Sequence, residues 1–480
     1  MMKIEMPKQV SKIIRTLEEH GFEAFAVGGC VRDSVLGRRP NDWDITTSAM
    51  PWQTKKLFKK TVDTGIQHGT VTVLQGGIGY EVTTYRIDGE YEDGRHPKEV
   101  VFTENLREDL RRRDFTINAM AYNDAEGLID PFGGQQDLQQ GILRAVGDPA
   151  TRFEEDALRI LRLYRFAARF GFAIDPPTGQ AARALCAHLD CVSVERIEEE
   201  LSKLLTAPAP AAYLDEKILK VIIPELSAPA LQAAKPVVDA CPAGTEDLPV
   251  RWAALLMSLG EDGTRKALKR LRCSNACIEQ TAVLVREVHP GAFSSDTTAG
   301  CGSQRLLQPI NGPRTLLAAA PTATPCFRRR RRSLPLQGIP SPALLPAAAG
   351  SHPPDGPQRN SRTGLGQDAA PDTVIRIRKL LGRYDLHTVQ RLAALGAAME
   401  PERAADFAAQ AELAAQLDAD GVCCRVSQLA VNGRDLMAAG IPAGPGLRRT
   451  LEALLDAVIR GQLLNERQCL LDAAGQISAS

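Results

Sequence analysis

At 480 residues, with 44% hydrophobic and 24% charged side chains, the chain has an ordinary soluble composition and is too long for one hydrophobic core, so roughly two to four domains are expected. A net charge of +0 excludes capture of nucleic acid by the field of the whole protein; such a partner has to be held by local basic patches. No run of about 18 apolar residues occurs, which excludes a membrane span, and the opening "MMKIEMPKQVSK" lacks the apolar core of a secretion signal. A cytoplasmic protein is expected. The 11 cysteines follow no metal-binding pattern: "CSNAC" (Cys273, Cys277) and "CC" (Cys423, Cys424) lack the second pair or the histidines that a zinc site needs, and read as reduced thiols.

In chain order, the first 145 or so residues read as mixed α/β. "VSKIIRTLEEHG" carries Ile13, Ile14 and Leu17 at helical spacing and is closed by Gly21. "FEAFAV" is strand-like and runs into Gly28 and Gly29, then a short helix from "VRDSVLG". A "WDITT" strand follows, then a hairpin whose arms are "TVTVL" and "YEVTTYR" with "QGGIG" as the turn. From about residue 151 the chain turns helical: "RFEEDALRILRLYRFAARFG" and "SVERIEEELSKLL" are long amphipathic patterns. Residues 292–371 contain no Val, Glu, Lys, Met, Tyr or Trp and carry five arginines in a row, Arg328–Arg332. This stretch reads either as a disordered insert with a basic run or as a passage translated out of frame; the abrupt return of helical patterning at "DTVIRIRKLLGRYDL" favours the second, and no function is assigned to it. The remainder is helical and rich in Ala and Leu.

Three constellations carry chemistry. In "NDWDITT" Asp42 and Asp44 lie two apart in a strand-like stretch, so they share a face and repel each other. The pair makes sense if divalent cations sit between them; hard oxygen ligands favour Mg²⁺, which keeps water and substrate phosphate as its other ligands. Upstream, "VGGCVRD" offers a Gly-Gly turn into a helix whose backbone N–H groups can cradle a phosphate, with Arg32 adding a fixed charge. Glu81, in "GYEVTTYR", supplies a third carboxylate mid-strand. In this order the pieces form the layout of a nucleotidyltransferase palm, where two metals activate an attacking hydroxyl and stabilise leaving pyrophosphate. The second constellation is "EDLRRRDFTINAMAY", where Arg111, Arg112 and Arg113 precede Asp114; against a plain solvated face with one internal ion pair, the functional reading puts Arg113 on a triphosphate. The third is "EEDALRILRLYRF". Asp156 and Arg159 are three apart, hence expected on one helix face, and Arg162 and Arg165 continue the row. The plain reading is an i,i+3 ion pair. The alternative is a base reader: a carboxylate acceptor beside a guanidinium donor complements the amino group and ring nitrogen of cytosine or adenine, whereas uracil and guanine present the reverse order.

Together "AVGGCVRD", "NDWDITT", "HGTVTV", "YEVTTYR", "DLRRRDFTINAMAY", "LIDPFGG" and "EDALRILRLYRF" resemble, in order and spacing, the tRNA nucleotidyltransferase/poly(A) polymerase family, most closely its bacterial-type CCA-adding branch. "ERIEEELSKLL" resembles that family's helical neck, and "LAVNGRDLMAAGIPAGPGL" its C-terminal tRNA-binding region. The resemblance implies an α+β fold: an N-terminal nucleotidyltransferase (polymerase β-like) palm of mixed sheet with helices over residues 1–150, followed by an all-α neck (151–210), body (211–291) and tail (372–480), with the aberrant 292–371 between the last two. It implies template-independent addition of CCA to the tRNA 3′ end from CTP and ATP, with the acceptor arm gripped by the helical regions. Carried onto matching positions, Asp42 and Asp44 bind Mg²⁺, with Glu81 the third acidic position. Gly29 and Arg32 contact the nucleotide phosphates, Arg113 the incoming nucleotide, and Asp156 and Arg159 the base, with Arg162 and Arg165 completing the site. Residues 88–103 resemble the flexible loop of full CCA enzymes, though a polar surface loop would look the same. An A-adding or poly(A)-type enzyme, or a tRNA-binding protein with a dead catalytic head, are the alternatives; the intact acidic set argues against the last.

Overall fold

Val10, Ile13, Ile14 and Leu17 recur at helical spacing and are buried on one side of helix α1 (Lys8–Glu19), which stops at Gly21 in the left-handed region (φ 83°). The computed structural model describes residues 3–88, 100–288 and 370–478. The reading of 292–371 as aberrant and most of the 88–103 loop therefore lie outside the described residues.

After α1 come β1 (Ala24–Val27), α2 (Gly29–Val35), β2 (Asp44–Thr47), α3 (Pro51–Leu57), β3 (Thr61–Gly65), β4 (Thr70–Gln75), β5 (Ile78–Thr84), β6 (Arg86–Asp88), β7 (Val100–Phe102), α4 (Leu106–Arg111), β8 (Ala121–Asn123) and β9 (Gly127–Ile129). Seven of these strands form one mixed sheet in the order β3-β4-β5-β2-β1-β8-β9, with β2 and β5 parallel and the other neighbours antiparallel. Alternation decides its faces. Ile45, Val71, Val73, Tyr80 and Val82 are buried on one side, where α1 and α3 pack, while Thr72, Leu74 and Glu81 fall on the other. The β4–β5 turn is tighter than the "QGGIG" segment suggests. The ladder runs to Gln75↔Ile78, and only Gly76 and Gly77, both with positive φ (64° and 84°), remain as the two-residue turn that antiparallel strands prefer.

The chain continues through α5 (Gly134–Gln140), β10 (Ile142–Leu143), α6 (Pro149–Glu155), α7 (Leu158–Phe170), β11 (Ala173–Ile174), α8 (Pro176–Ala184) and α9 (Val194–Leu205). The single helix expected over "RFEEDALRILRLYRFAARFG" is two. Asp156 leaves helical geometry (φ −146°, ψ 102°) and its carboxylate accepts from the N–H of Leu158 at 3.1 Å, so α7 starts afresh. Helices α10 (Glu216–Ile222), α11 (Ala228–Ala240), α12 (Leu248–Leu256), α13 (Gly260–Arg270) and α14 (Asn275–Val288) follow, then α15 (Pro371–Arg383), α16 (Leu386–Met399), α17 (Ala404–Ala419), α18 (Gly433–Ala438), α19 (Pro445–Ile459) and α20 (Arg467–Ser478). The main core is continuous from Ile4 to Cys424; a second lies under the last helices, and a third, built on Phe25, Val27, Tyr85 and Leu110, lies beside β1. Among the described residues no helix is long and apolar enough to cross a membrane.

Arg251, on α12 and buried, joins α9 to the helices after it. Its guanidinium donates to the carbonyls of Leu205 and Ala207 at the end of α9, and to Pro242 (2.8 Å) and Cys241 (3.0 Å). A cation among the last carbonyls of a helix satisfies acceptors that have no intrahelical partner. Replacing Arg251 by Met should strand these acceptors and lower the unfolding free energy by at least about 3 kcal/mol, read as a drop in the urea midpoint at unchanged m-value.

Candidate active site

Asp44 opens β2 and is paired across the sheet with Val27, immediately before the Gly28–Gly29 turn. On its other side the parallel register Ile45↔Val82, stepped back one residue, sets Asp44 beside Glu81. Asp42 lies just ahead of the strand, not in it as the sequence pattern suggested, but alternation persists: Asp42 and Asp44 are exposed and Trp43 between them is buried. The Asp44 carboxyl is accessible at its tip yet walled by protein. That desolvation, with the charge of Glu81 and then of Asp42, pushes its pKa up against the opposing pull of Arg113. Mutual repulsion of this kind is what a bound cation relieves. Among the described residues no three His, Cys, Asp or Glu side chains converge to cage a metal by themselves. Two carboxylates so placed suit a divalent cation that completes its shell with other oxygen ligands.

From Asp44 a cleft of about 500 Å³ runs toward α7 and α9. Gly28, Gly29, Arg32, Arg112, Arg113, Asp114, Asn118, Asp156, Leu158, Arg159, Arg162, Arg165, Phe166, Arg169 and Arg196 line it with Asp44, so eight arginines face three aspartates. Gly28 is required here. Its φ is 78°, and a Cβ would stand 3.1 Å from Nη1 of Arg113. Arg113 donates to Asp109 (3.3 Å), and its buried Nε has no hydrogen-bond partner among the described residues. Arg32 is buried, donates to Oδ1 of Asn118 (2.6 Å) and Asp33 (2.8 Å), and lies against the rings of Phe166 and Phe170 at 5.3 and 4.9 Å.

Buried carboxylates stand behind the arginines. Asp109 accepts from Arg112 (2.8 and 3.1 Å), Arg113 and the Thr46 hydroxyl (3.1 Å); burial opposes its ionisation, but the Arg113 and Arg112 charges hold its pKa below the ordinary value. Asp114 accepts from Arg162 (2.6 and 3.0 Å), the Asn118 amide (3.0 Å) and the N–H of Phe115 (2.8 Å). Burial alone would raise its pKa, but the Arg162 charge and these donors outweigh it and hold it at about 2. Glu200, on α9, takes Arg165, whose guanidinium also stacks 3.9 Å from the Phe166 ring.

Two further sequence expectations change. Asp156 and Arg159 are not an i,i+3 pair on one helix, because Asp156 sits in the break before α7. It accepts from Arg196 of α9 (2.8 Å), while Arg159 donates to Glu155 (2.5 Å) and to the carbonyls of Arg152 (3.1 Å) and Arg112 (2.9 Å). In the triple arginine, Arg111 points to solvent and only Arg112 and Arg113 reach the cleft. Gly29, Arg32, Asp44, Arg113, Asp156, Arg159, Arg162 and Arg165 are gathered around the one cleft. Glu81 stands outside it, across Asp44, and Asp42 flanks Asp44. Sequence reasoning passed over Asn118, Phe166, Arg169, Arg196 and Glu200. Arg196 and Glu200 are four apart in "ERIEEELSKLL", a spacing that places both on one face of α9.

A mixed sheet with paired aspartates at the start of its central strand, opening on a cationic cleft, is the architecture of a nucleotidyltransferase. The family described as "Poly A polymerase head domain" matches residues 24–144, "Probable RNA and SrmB-binding site of polymerase A" matches 171–228, and tRNA nucleotidyltransferase domain 2 matches 385–474. The CCA-adding enzyme of Limosilactobacillus fermentum is 35% identical over 99% of both chains, and that of Geobacillus stearothermophilus is 38% identical over 68% of this chain and 82% of its own. The crystal structure of the Bacillus stearothermophilus CCA-adding enzyme in complex with CTP superposes with a TM-score of 0.67, at 27% identity and covering 98% of each chain. The chain belongs to the tRNA nucleotidyltransferase/poly(A) polymerase family, among its bacterial-type CCA-adding enzymes.

Because the folded pKa of Asp114 is depressed to about 2 from an unfolded value near 3.9, its contribution is present above the unfolded pKa and is lost as pH falls through the folded one. Asp114→Asn should cost about 2–3 kcal/mol at neutral pH. In urea titrations the gap from the parent protein should stay level from about pH 8 to 5 and narrow below about pH 4.

Proposed function

We infer that the chain adds CCA to the 3′ end of tRNA, one nucleotide at a time, from CTP and ATP with release of pyrophosphate, and works in the cytoplasm. The observation that carries this reading is the placement of Asp44 at the edge of an arginine-lined cleft, supported by likeness over nearly the whole length to CCA-adding enzymes. An A-only or poly(A) activity has no specific observation in its favour.

A divalent cation held by Asp42 and Asp44, with Mg²⁺ the ion that suits two hard oxygens plus phosphate, supplies the charge that lowers the pKa of the attacking hydroxyl and that steadies the departing pyrophosphate. Arg32 and the backbone at Gly29 receive the triphosphate, Arg113 stands over it, and Arg162 and Arg165 add charge from α7. These groups are already oriented, so little side-chain order is lost on binding. Asp156 and Arg159 read the base. Asp156 is held by Arg196 and the Leu158 N–H, and an ionised carboxylate keeps further acceptor capacity for an exocyclic amino group. Arg159 has committed three of its five N–H groups, leaving donors for the ring nitrogen beside that amino group. Cytosine and adenine satisfy both; uracil and guanine set oxygen against carboxylate.

The test offers tRNA ending before CCA to the protein with CTP alone and then with ATP added. Two nucleotides should be incorporated, then a third; failure to incorporate CMP overturns the reading. Asp42→Ala and Asp44→Ala should each abolish transfer while tRNA binding persists. Chelation should stop the parent enzyme, and Mg²⁺ should restore it.

A further inference from the structure

The "CSNAC" corner takes no part in the nucleotide cleft. Helix α13 ends there and α14 begins, and Cys273 is fixed from both sides. Arg272 takes the left-handed conformation (φ 56°) that glycine usually supplies after a helix. Its N–H donates to the Lys269 carbonyl and the Cys273 N–H to that of Leu268, each at 3.0 Å, so the last carbonyls of α13 are satisfied. Ser274 then caps α14: its carbonyl accepts the Ile278 N–H (3.0 Å) and its hydroxyl the Cys277 N–H (3.2 Å). Cys273 therefore stands just ahead of the cap and Cys277 in the first turn. The two thiols meet, the S–H of Cys273 donating to the sulfur of Cys277. Cys273 also faces a carboxylate oxygen of Glu198 on α9 at 3.9 Å, and Cys277 the hydroxyl of Thr281 at 3.9 Å. Cys273 is buried, whereas Cys277 is only half-buried.

We propose that Cys273 and Cys277 are a redox modification site: they close into a reversible disulfide, and Cys277 is the thiol that a peroxide oxidises first. The surroundings of Cys277 favour that order. The thiolate is the nucleophile in such chemistry, and helix starts and nearby cations stabilise it. Cys277 lies in the first turn of α14, a helix of 14 residues. Arg391 of α16 donates to Gln280, three residues further along α14, at 3.0 Å. The hydrogen bond from Cys273, with Thr281 and the Arg391 charge, outweighs burial and the Glu198 charge and holds the Cys277 thiol below its ordinary pKa. The same bond, together with burial, pushes the Cys273 thiol up, so the proton between them stays on Cys273. Burial pushes up Cys30, Cys241, Cys423 and Cys424 as well, which suits inert packing groups. In the first step the Cys277 sulfur bonds to one oxygen of hydrogen peroxide and the O–O bond breaks. The departing oxygen takes up the proton that Cys277 had given up and leaves as water. The Cys273 sulfur then attacks the sulfenic acid sulfur of Cys277; the S–O bond breaks, and hydroxide leaves with the Cys273 proton as a second water. The thiol pair loses two electrons and the peroxide gains them. A dithiol reopens the bond by exchange.

The experiment treats the folded full chain with hydrogen peroxide, unfolds it in an alkylating reagent and digests it with trypsin. Cleavage after Arg272 and Arg286 leaves both cysteines on one peptide. In the parent this peptide should lose both alkylation sites and be two hydrogens lighter, at peroxide doses that leave the exposed Cys191 open to alkylation. Dithiothreitol before alkylation should restore both sites. Cys273→Ser should halt the sequence at a sulfenic acid on Cys277, trapped as its dimedone adduct, and Cys277→Ser should leave Cys273 fully alkylated. A peptide still alkylated at both positions after peroxide, or one oxidised only in step with Cys191, overturns the proposal. So does oxidation of Cys273 in the Cys277→Ser variant at the parent's rate. If a serine variant does not fold, the parent digest decides.

Discussion

Guanidinium groups cannot be crowded into a cleft and left facing outward unless something holds them there. At the effective dielectric of a protein surface, two like charges 4 Å apart repel by about 4 kcal/mol, and eight arginines line this cleft. The chain solves the problem from behind: Asp33 takes Arg32, Asp109 takes Arg112 and Arg113, Glu155 takes Arg159, Asp114 takes Arg162, Glu200 takes Arg165 and Asp156 takes Arg196. Buried ion pairs of this kind are weak contributors to net stability, because desolvation offsets most of the attraction. Their value here is positional. Each carboxylate fixes where one guanidinium stands, or two in the case of Asp109, and the outward N–H groups and surplus charge are left for a polyanion.

The same pairs knit separate stretches of chain. Asp114, from the segment after α4, meets Arg162 of α7; Arg165 of α7 meets Glu200 of α9; and Arg196 of α9 reaches back to Asp156 in the break before α7. The cleft is therefore a product of tertiary packing. Phe166 sits at the junction, with the guanidinium groups of Arg32, Arg162 and Arg165 between 3.9 and 5.3 Å from its ring, so an aromatic face takes part of the positive charge that carboxylates do not.

This division explains what could be read from the sequence. The order of strands and helices was legible because apolar periodicity is local: Ile13, Ile14 and Leu17 declare α1, and Val71 and Val73 alternate with Thr72 and Leu74 along β4. The identity of most cleft residues was legible too, since dense arginines and paired aspartates are costly unless used. The partners were not. Asp156 and Arg159 look like a helical pair at a spacing of three, yet the helix breaks at Asp156, whose carboxylate turns to its own backbone and to Arg196, forty residues on. A window of one helix cannot show that competition. Nor can spacing alone say that Arg111 faces solvent while its two successors face Asp109; that depends on where α4 packs against the sheet.

The two flanks of Asp44 differ in kind. On one flank eight arginines are pre-set, which favours a small and highly anionic ligand. On the other, beyond Glu81, the surface is hydroxyl and aliphatic with a single lysine. On the proposed reading, the carboxylates at the border repel each other and would repel any phosphate too, so an anionic substrate settles against Asp44 only together with a cation.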